Sequence, residues 1–358
     1  MSYALGSEIG LQDIRGIGLN MRKLRQLLSS SVRFRSGSVE RKDNHTEPDA
    51  KNGTTPTKKF CSACGKKSDT LMKCRACKCV WYCDKKCQNK HWREHKKECK
   101  PIKVELDKRG GKLDLGSEKD LGPLPDLPPR EECPICMHAM PIDGNLKYYL
   151  VCCGKNICCG CKVQHEIKYE ERTCAFCREP IAKTEEKALA RLSKRVDLKD
   201  RDALRCMALY YGLGQMGLSV NQAKCIDLLR QAADLGFPGA HYNLGNYYHS
   251  GEMGLEQDDA KAKMHWEKAA EGGHLISRHN LGSTEEDTRD RVAAMRHWRL
   301  SASGGYKPSI ETLIECYERG FLHHRDLSEA LQNHYKAKAE MKSNERDVYI
   351  RVLKMNGA

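Results

Sequence analysis

Hydrophobic and polar residues are distributed differently in three parts of the chain. Residues 1–58 are rich in Ser, Arg, Gly and Asn and offer little to bury, which predicts a disordered basic tail. Pairs of cysteines separated by short polar segments dominate the next part, up to about residue 182. From about residue 184 alanine, leucine and paired charges take over, so we predict an all-α second half.

One stretch of the tail departs from this description. In "DIRGIGLNMRKLRQLL" apolar residues recur at helical spacing with basic residues between them. This pattern also occurs in organelle transit helices and membrane-surface segments. Acidic Glu8 and Asp13 and two glycines argue against targeting, so we predict that this stretch is part of the disordered tail.

The second half contains an internal repeat. The sequence "LLRQAADLGFPGAHYNLG" (228–245) returns 37 residues later as "HWEKAAEGGHLISRHNLG" (265–282). A third, partial copy, "HWRLSASGGYKPS" (297–309), follows 32 residues on. Upstream, "ALRCMALYYGLGQMGL" (203–218) matches "AHYNLGNYYHSGEMGL" (240–255). A period of this length predicts stacked helical hairpins.

The repeat register assigns roles to small residues. Ala233, Ala270 and Ala302 take equivalent positions, where a small side chain lets two helices approach closely. The glycine after each alanine pair, as at Gly236 and Gly273, can supply a left-handed helix terminus. The pattern resembles Sel1-like repeats, relatives of the tetratricopeptide class, over residues 200–340. That resemblance implies a binding scaffold rather than a catalyst.

Cysteine usage points to metal. Of the 20 cysteines, eight lie between Cys61 and Cys99 and nine between Cys133 and Cys177. The chain is long and lysine-rich and lacks an apolar signal-peptide core, so we expect reduced cysteines in an intracellular compartment, the cytoplasm or the nucleus. No apolar run is long enough to span a bilayer. Two clusters predict two modules built around metal.

Positive charge alone does not predict a nucleic-acid partner. The chain carries a formal net charge of +14, and residues 61–100 contribute twelve Lys/Arg against four Asp/Glu. Two zinc ions held there by seven thiolates would lower the net charge of this segment from +8 to about +5, because cysteine ligands are deprotonated. No aromatic interleaving accompanies these lysines.

The first cluster, "CSACGKKSDTLMKCRACKCVWYCDKKCQNKHWREHKKEC" (61–99), offers eight zinc ligands at suitable spacing. It closely resembles the MYND finger, including Tyr82 before Cys83 and Gln88 four residues before Trp92. The resemblance implies binding of short proline-containing peptides and an interleaved ligand scheme. That scheme places Cys61, Cys64, Cys83 and Cys87 on zinc 1, and Cys74, Cys77, His95 and Cys99 on zinc 2.

Spacing alone leaves a second scheme open for this cluster. A sequential pairing would group Cys61, Cys64, Cys74 and Cys77 on one ion. Cys79 is surplus in the interleaved scheme, and we expect His45 and His91 to lie in solvent.

The second cluster brackets "CCGKNICCGC" (152–161) between "CPIC" (133–136) and "CAFC" (174–177). The usual RING spacing would place a histidine at position 155, but Lys155 has no lone pair to give. The adjacent cysteine at 152 or 153 replaces it, so residues 131–182 resemble a C4C4 variant of the RING finger. The implied cross-brace places Cys133, Cys136, Cys158 and Cys161 on zinc 3, and Cys152, Cys153, Cys174 and Cys177 on zinc 4.

Two details of this cluster stay open. Either His138 or His165 could replace one of the 152/153 pair, although neither has the expected spacing. Cys159 is left over as a small buried or surface thiol.

Residues outside the zinc ligands decide between two functions. In ligase RING fingers an aliphatic residue and a basic residue contact the ubiquitin-conjugating enzyme and its ubiquitin, and Ile135 and Arg178 match them. Ala175 stands where that loop often has proline, and no tryptophan lies between Cys161 and Cys174. The hypotheses are a RING-type ubiquitin ligase without a catalytic nucleophile and a non-enzymatic zinc-finger adaptor. A weaker third hypothesis makes the basic MYND segment a chromatin or nucleic-acid contact.

The sequence thus predicts a multidomain protein with two small zinc fingers and an all-α helical-repeat solenoid, held by four zinc ions. Its predicted segments are a tail (1–58), a MYND finger (59–100), a charged and proline-rich linker that holds the two fingers apart without packing (101–130), a RING-like finger (131–182), Sel1-like repeats (190–345) and a C-terminal tail (346–358).

Overall fold

The computed structural model describes residues 59–68, 70–110, 121, 125–142, 144–169 and 173–355. The predicted tail, its helical stretch and His45 lie outside the described residues. Two small cysteine-rich units precede a helical solenoid, which confirms the predicted fold class.

The first finger consists of a short hairpin and a long helix. Strands β1 (Met72–Lys73) and β2 (Trp81–Tyr82) pair antiparallel, and helix α1 (Lys85–Lys108) follows. The Asp84 side chain accepts a hydrogen bond from the Cys87 N–H at 2.7 Å and so caps the helix.

Helix α1 runs past the predicted end of the finger, and the predicted linker was wrong here. Residues 101–108 are helical, and Ile102 and Leu106 are buried. Arg109 donates to the carbonyl of Tyr317 at 2.5 Å and lies over its ring. The two apolar residues are four positions apart and extend the buried face of α1, so the helix packs on the solenoid instead of separating the fingers.

The second finger also consists of short secondary-structure elements. A 3-10 turn (Gly144–Leu146) leads into an antiparallel hairpin of β3 (Lys147–Leu150) and β4 (Lys155–Cys158). Helix α2 (Cys159–Lys168) follows without a break.

Ten helices fill the described chain from residue 185 onward. They are α3 (Glu185–Asp197), α4 (Arg201–Leu213), α5 (Gln222–Asp234), α6 (Pro238–Ser250), α7 (Asp259–Glu271), α8 (Leu275–Asp287), α9 (Arg291–Ser303), α10 (Lys307–Glu318), α11 (His324–Glu340) and α12 (Asn344–Met355). Helices α4–α5, α6–α7 and α8–α9 pack as hairpins, and neighbouring hairpins stack. Within the described residues no helix is long and apolar enough to cross a membrane.

The repeat register explains how the hairpins fit together. Gly236, Gly273 and Gly305 have φ of +72°, +86° and +98°, as the left-handed terminus requires. A Cβ on Gly245 or Gly282 would lie 2.5 Å from an atom of the Trp266 or Trp298 ring. The glycine of each "NLG" sequence therefore makes room for a tryptophan on the following helix.

Enlarging a buried repeat alanine should destabilise the solenoid. Ala270 is buried, whereas Ala260 on the same helix is exposed. We expect Ala270→Leu to lower the free energy of unfolding by about 1–3 kcal/mol through overpacking, with Ala260→Leu close to neutral. Thermal melting by circular dichroism measures both, and equal melting of the two variants would remove the basis of the stacked register. Ala233 and Ala302 are buried as well and should behave like Ala270.

Both ends of the solenoid contact the second finger and hold it in place. On one side the Tyr149 hydroxyl donates to Asp200 at 2.8 Å, and the Asn156 amide donates to Asp202 at 3.1 Å. On the other side the Arg346 guanidinium donates to the Ala139 carbonyl at 2.6 Å. The finger is therefore an integral part of the folded molecule.

This second contact corrects the predicted C-terminal tail. Residues 346–355 belong to helix α12, which packs on α2. A Cβ on Gly160 would lie 2.5 Å from the Glu345 carbonyl carbon, so only glycine permits the approach of the two backbones. The tail prediction failed because the surface that buries Arg346 belongs to a distant part of the chain.

Candidate metal centres

Four of the five C-x2-C sequences fold into the same tight turn, and the fifth, Cys158–Cys161, instead opens helix α2. The residue after the second cysteine has positive φ in each of the four: Gly65, Lys78, Met137 and Arg178 have φ of +74°, +55°, +56° and +66°. Its N–H donates to the carbonyl of the first cysteine at 2.8–3.1 Å. The turn brings both thiols of a pair to one side, where they can share an ion.

Within the part of the chain that the structure describes, sixteen side chains form four ligand groups. Within each group the candidate ligand atoms lie within 4.8 Å of one another. The groups are Cys61, Cys64, Cys83 and Cys87; Cys74, Cys77, His95 and Cys99; Cys133, Cys136, Cys158 and Cys161; and Cys152, Cys153, Cys174 and Cys177. These are the four interleaved sets that the two finger resemblances imply, and the sequential pairing is not the one formed.

The distances inside the groups fit tetrahedral zinc. Sulfur–sulfur separations are 3.6 Å for Cys64–Cys83, 3.9 Å for Cys74–Cys99 and 3.5 Å for Cys152–Cys177. A tetrahedral zinc with bonds of about 2.3 Å places its sulfur ligands about 3.8 Å apart. Four soft ligands per group also match the donor preference of zinc, so the protein is a multi-zinc protein.

Backbone N–H groups point at several ligand sulfurs. Burial raises the pKa of Cys174, but hydrogen bonds from the N–H groups of Cys177 and Phe176, both at 3.4 Å, hold the pKa below its ordinary value. The same balance of burial against backbone donors lowers the pKa of Cys61. These donors favour the thiolate that zinc requires.

The solenoid supplies an outer partner to the zinc 2 group. The Tyr335 hydroxyl donates to Glu98 at 3.2 Å and lies 3.4 Å from Nδ1 of His95. Because the hydroxyl hydrogen is used on Glu98, its oxygen accepts from Nδ1–H, which leaves the lone pair of Nε2 for the metal. Nε2 in turn lies 3.3 Å from the sulfur of Cys77. Such partners orient a histidine ligand and fix its tautomer.

The surplus cysteine of the first finger lies at the same interface. Cys79 is fully buried, and its sulfur lies 3.2 Å from Nε2 of His324. The Ser328 hydroxyl donates to the Cys79 carbonyl at 2.8 Å. Cys79 therefore contributes to docking on α11.

The expectation that His91 lies in solvent was wrong. It is buried, with Nδ1 3.1 Å from the Tyr82 hydroxyl and its ring 4.2 Å from that of Tyr335. Burial, helped by neighbouring His95, lowers the pKa of His91 to about 4, so the ring is neutral. A signal was available: positions 91, 95, 99, 102 and 106 form one helical stripe, and all are buried.

Neither alternative histidine of the second finger joins a ligand group. Nδ1 of His138 lies 2.6 Å from the Cys136 carbonyl. His165 accepts from Arg178 at Nδ1 (3.1 Å), and its Nε2 lies 3.1 Å from the Thr173 carbonyl. Cys159 is buried outside both groups.

The two residues singled out for a conjugating enzyme differ in their surroundings. Ile135 is 41% exposed, and Met137 on the other side of Cys136 and Phe176 beside Cys177 are also exposed. Arg178 is held within the finger, since it donates to His165 and its guanidinium lies 5.2 Å from the centre of the Tyr169 ring.

Comparison with known protein families agrees with this geometry. The MYND finger family model matches residues 61–99, and the Sel1 repeat model matches residues 202–237, 238–274 and 279–306. The chain therefore contains a MYND finger and three Sel1 repeats, as the sequence predicted. The two four-cysteine groups of the second finger are consistent with a RING-like cross-brace.

Curated relatives share only a short stretch. Histone-lysine N-methyltransferase ASHR1 of Arabidopsis thaliana is 41% identical over 56 residues, which cover 15% of this chain and 12% of that protein. Human histone-lysine N-methyltransferase SMYD3 is 44% identical over 43 residues, covering 12% and 10%. The chain thus matches about one tenth of the length of these relatives.

Two solved structures are similar to part of the chain. A Sel1 repeat protein from Oxalobacter formigenes is 28% identical, with a TM-score of 0.34, and covers 36% of this chain and 98% of that one. The protective antigen c5321 of uropathogenic Escherichia coli is 26% identical, with a TM-score of 0.37, and covers 42% and 32%.

Proposed function

We propose that the protein is a RING-type ubiquitin ligase whose MYND finger and Sel1 repeats select the proteins to be modified. The observation that carries the proposal is the exposed Ile135 at the first knuckle of a cross-braced finger, with exposed Met137 on the other side of Cys136 and exposed Phe176 beside Cys177. Exposed apolar residues on an otherwise docked finger are suited to a partner surface.

The proposed activity needs no nucleophile from this chain. A finger of this class would bind a charged conjugating enzyme and hold its thioester in a reactive orientation. Tyr149, Asn156 and Arg346 fix the finger to the solenoid, so a protein bound to the repeats would lie at a set distance from the thioester. On the first finger, exposed Trp92 is available for a proline-containing peptide.

Truncating Ile135 or Arg178 should reduce ubiquitin discharge without disturbing the fold. Ile135→Ala removes an apolar anchor, and Arg178→Ala removes a guanidinium that can bridge enzyme and ubiquitin carbonyls. Each should slow discharge by about tenfold or more, which corresponds to about 1.4 kcal/mol. Single-turnover discharge from a panel of conjugating enzymes measures the effect. Val220→Ala, an exposed aliphatic truncation on the solenoid, is the matched control.

A second candidate is a non-enzymatic adaptor, and the contacts of Arg178 favour it. Its guanidinium is already engaged by His165 and Tyr169, so reaching a partner would require it to leave them. If the zinc-loaded wild-type protein discharges no enzyme of the panel, the adaptor takes the place of the ligase. Methyl transfer is not proposed, because the likeness to methyltransferases covers the first finger alone.

A further inference from the structure

A crevice of about 640 Å³ lies between the second finger and the helices that it faces. The finger contributes Lys147 and Tyr148 to its walls, and the solenoid contributes Phe237, Tyr242 and His274. The segment before the finger, with Pro128 and Arg130, lines the crevice as well. Its size is in the range of ligand pockets.

The crevice is formed in the folded molecule before any ligand arrives. Contacts of Tyr149 with Asp200 and of Asn156 with Asp202 hold one side of the finger, and Arg346 holds the other. Pro128 packs on the backbone at Gly273, where a Cβ would lie 3.6 Å from the proline ring. A preformed site loses little conformational entropy on binding.

The walls carry an excess of positive charge. Among the described residues, six basic side chains line the crevice, against three carboxylates: Arg130, Lys147, Lys162, Arg191, Arg201 and Arg205 against Glu131, Glu166 and Asp202. Two of those carboxylates are already in ion pairs, Glu166 with Lys162 at 2.9 Å and Glu131 with Arg201 at 3.4 Å.

Several of the basic groups keep their charge available to a ligand. Arg130 and Arg191 donate to the backbone carbonyls of Gly304 and Pro180, which are neutral partners. The positive charge also affects His274. Burial, followed by the charges of Lys147 and Arg205, lowers the pKa of His274 to about 3. The ring is therefore neutral, and the positive charge of the crevice comes from its lysines and arginines.

We propose that this crevice binds a short acidic peptide segment of a partner protein, with carboxylates on the basic groups and apolar side chains on the aromatic and proline walls. The cations come from the 128–131 segment, β3, α2, α3 and α4, which suits several charges spaced along a chain better than one compact anion. Tyr148, Phe237 and Tyr242 provide apolar area between them. This site is independent of ligase activity.

The test is peptide binding to the full-length, zinc-loaded protein. A fluorescein-labelled peptide of alternating glutamate and leucine should bind in fluorescence anisotropy and weaken as salt rises, while a lysine–leucine peptide should not bind. Lys147→Glu with Arg205→Glu should weaken binding by at least tenfold. Lys224→Glu with Arg296→Glu makes the same charge change at exposed positions outside the crevice and should leave affinity unchanged.

Zinc content and thermal melting check that the variants are folded. Lys147→Gln with Arg205→Gln is the milder version, which should still weaken binding if the reversed pair does not fold. The proposal is overturned if the wild-type protein binds neither peptide or both equally, or if the control pair weakens binding as much as the crevice pair.

Discussion

Replacing Cys153 by serine is expected to remove zinc from the second finger and unfold it, whereas Cys159→Ser should leave both zinc and fold intact. The two residues are alike in sequence, each being one of an adjacent pair. Cys153 belongs to a ligand group with Cys152, Cys174 and Cys177, while Cys159 is buried outside any group among the described residues. A serine hydroxyl is a harder, less acidic ligand and does not replace a thiolate on zinc.

The effect of Cys153→Ser should exceed that of an ordinary core substitution. Structural zinc contributes about 10–16 kcal/mol of apparent binding free energy in small finger peptides, comparable to the whole stability of a domain. The cross-brace adds to the loss, because the ligand pairs of the two zinc sites alternate along the chain. Loss of zinc 4 should therefore loosen zinc 3.

Elemental analysis and limited proteolysis measure the outcome. The wild-type protein should carry four zinc ions, one per ligand group, and Cys159→Ser should carry the same number. Cys153→Ser should lose one or two ions and become sensitive to cleavage between residues 131 and 182. Equal damage from the two variants would show that the adjacent cysteines had been assigned wrongly, and two or fewer ions in the wild type would contradict the double cross-brace.

Ligand sets were predictable because zinc selects cysteine and histidine at short spacing. The C-x2-C turns are local, and the repeat register follows from residues such as Gly245 and Trp266 that recur at a fixed period. In "CCGC", however, the sequence did not explain why Gly160 separates a spare cysteine from a ligand. The reason is the backbone of Glu345, which no local pattern reveals.

Docking of the fingers was the part that the sequence did not disclose. Ile102 and Leu106 lay in a stretch interpreted as linker, and Arg346 in a stretch interpreted as tail. Each is buried by a surface more than a hundred residues away along the chain, such as the Tyr317 region for the end of α1. Propensity and spacing describe a module well, but they carry little information about which faces of two modules meet.

Because of this docking, loss of zinc 2 should melt the end of the solenoid along with the finger. Cys99 and Cys77 share a hydrophobic core with Leu327, Leu331 and Tyr335 of α11. His324 lies 2.8 Å from the Cys77 carbonyl, so the finger backbone and α11 are also joined by polar contacts. Cys99→Ser should remove zinc 2, release these contacts and unfold α11 together with α1.

The matched control is Cys64→Ser at zinc 1. Cys64 is exposed, in contrast to the buried Cys99, and the direct hydrogen bonds to α11 come from the zinc 2 side of the finger. We expect Cys64→Ser to lose one zinc ion with a smaller loss of helicity. Hydrogen exchange should rise strongly over residues 324–340 in Cys99→Ser, but little over the α5–α6 region, which lies in a different core cluster. Unchanged exchange over 324–340 in zinc-depleted Cys99→Ser would mean that the solenoid end is stable without the finger.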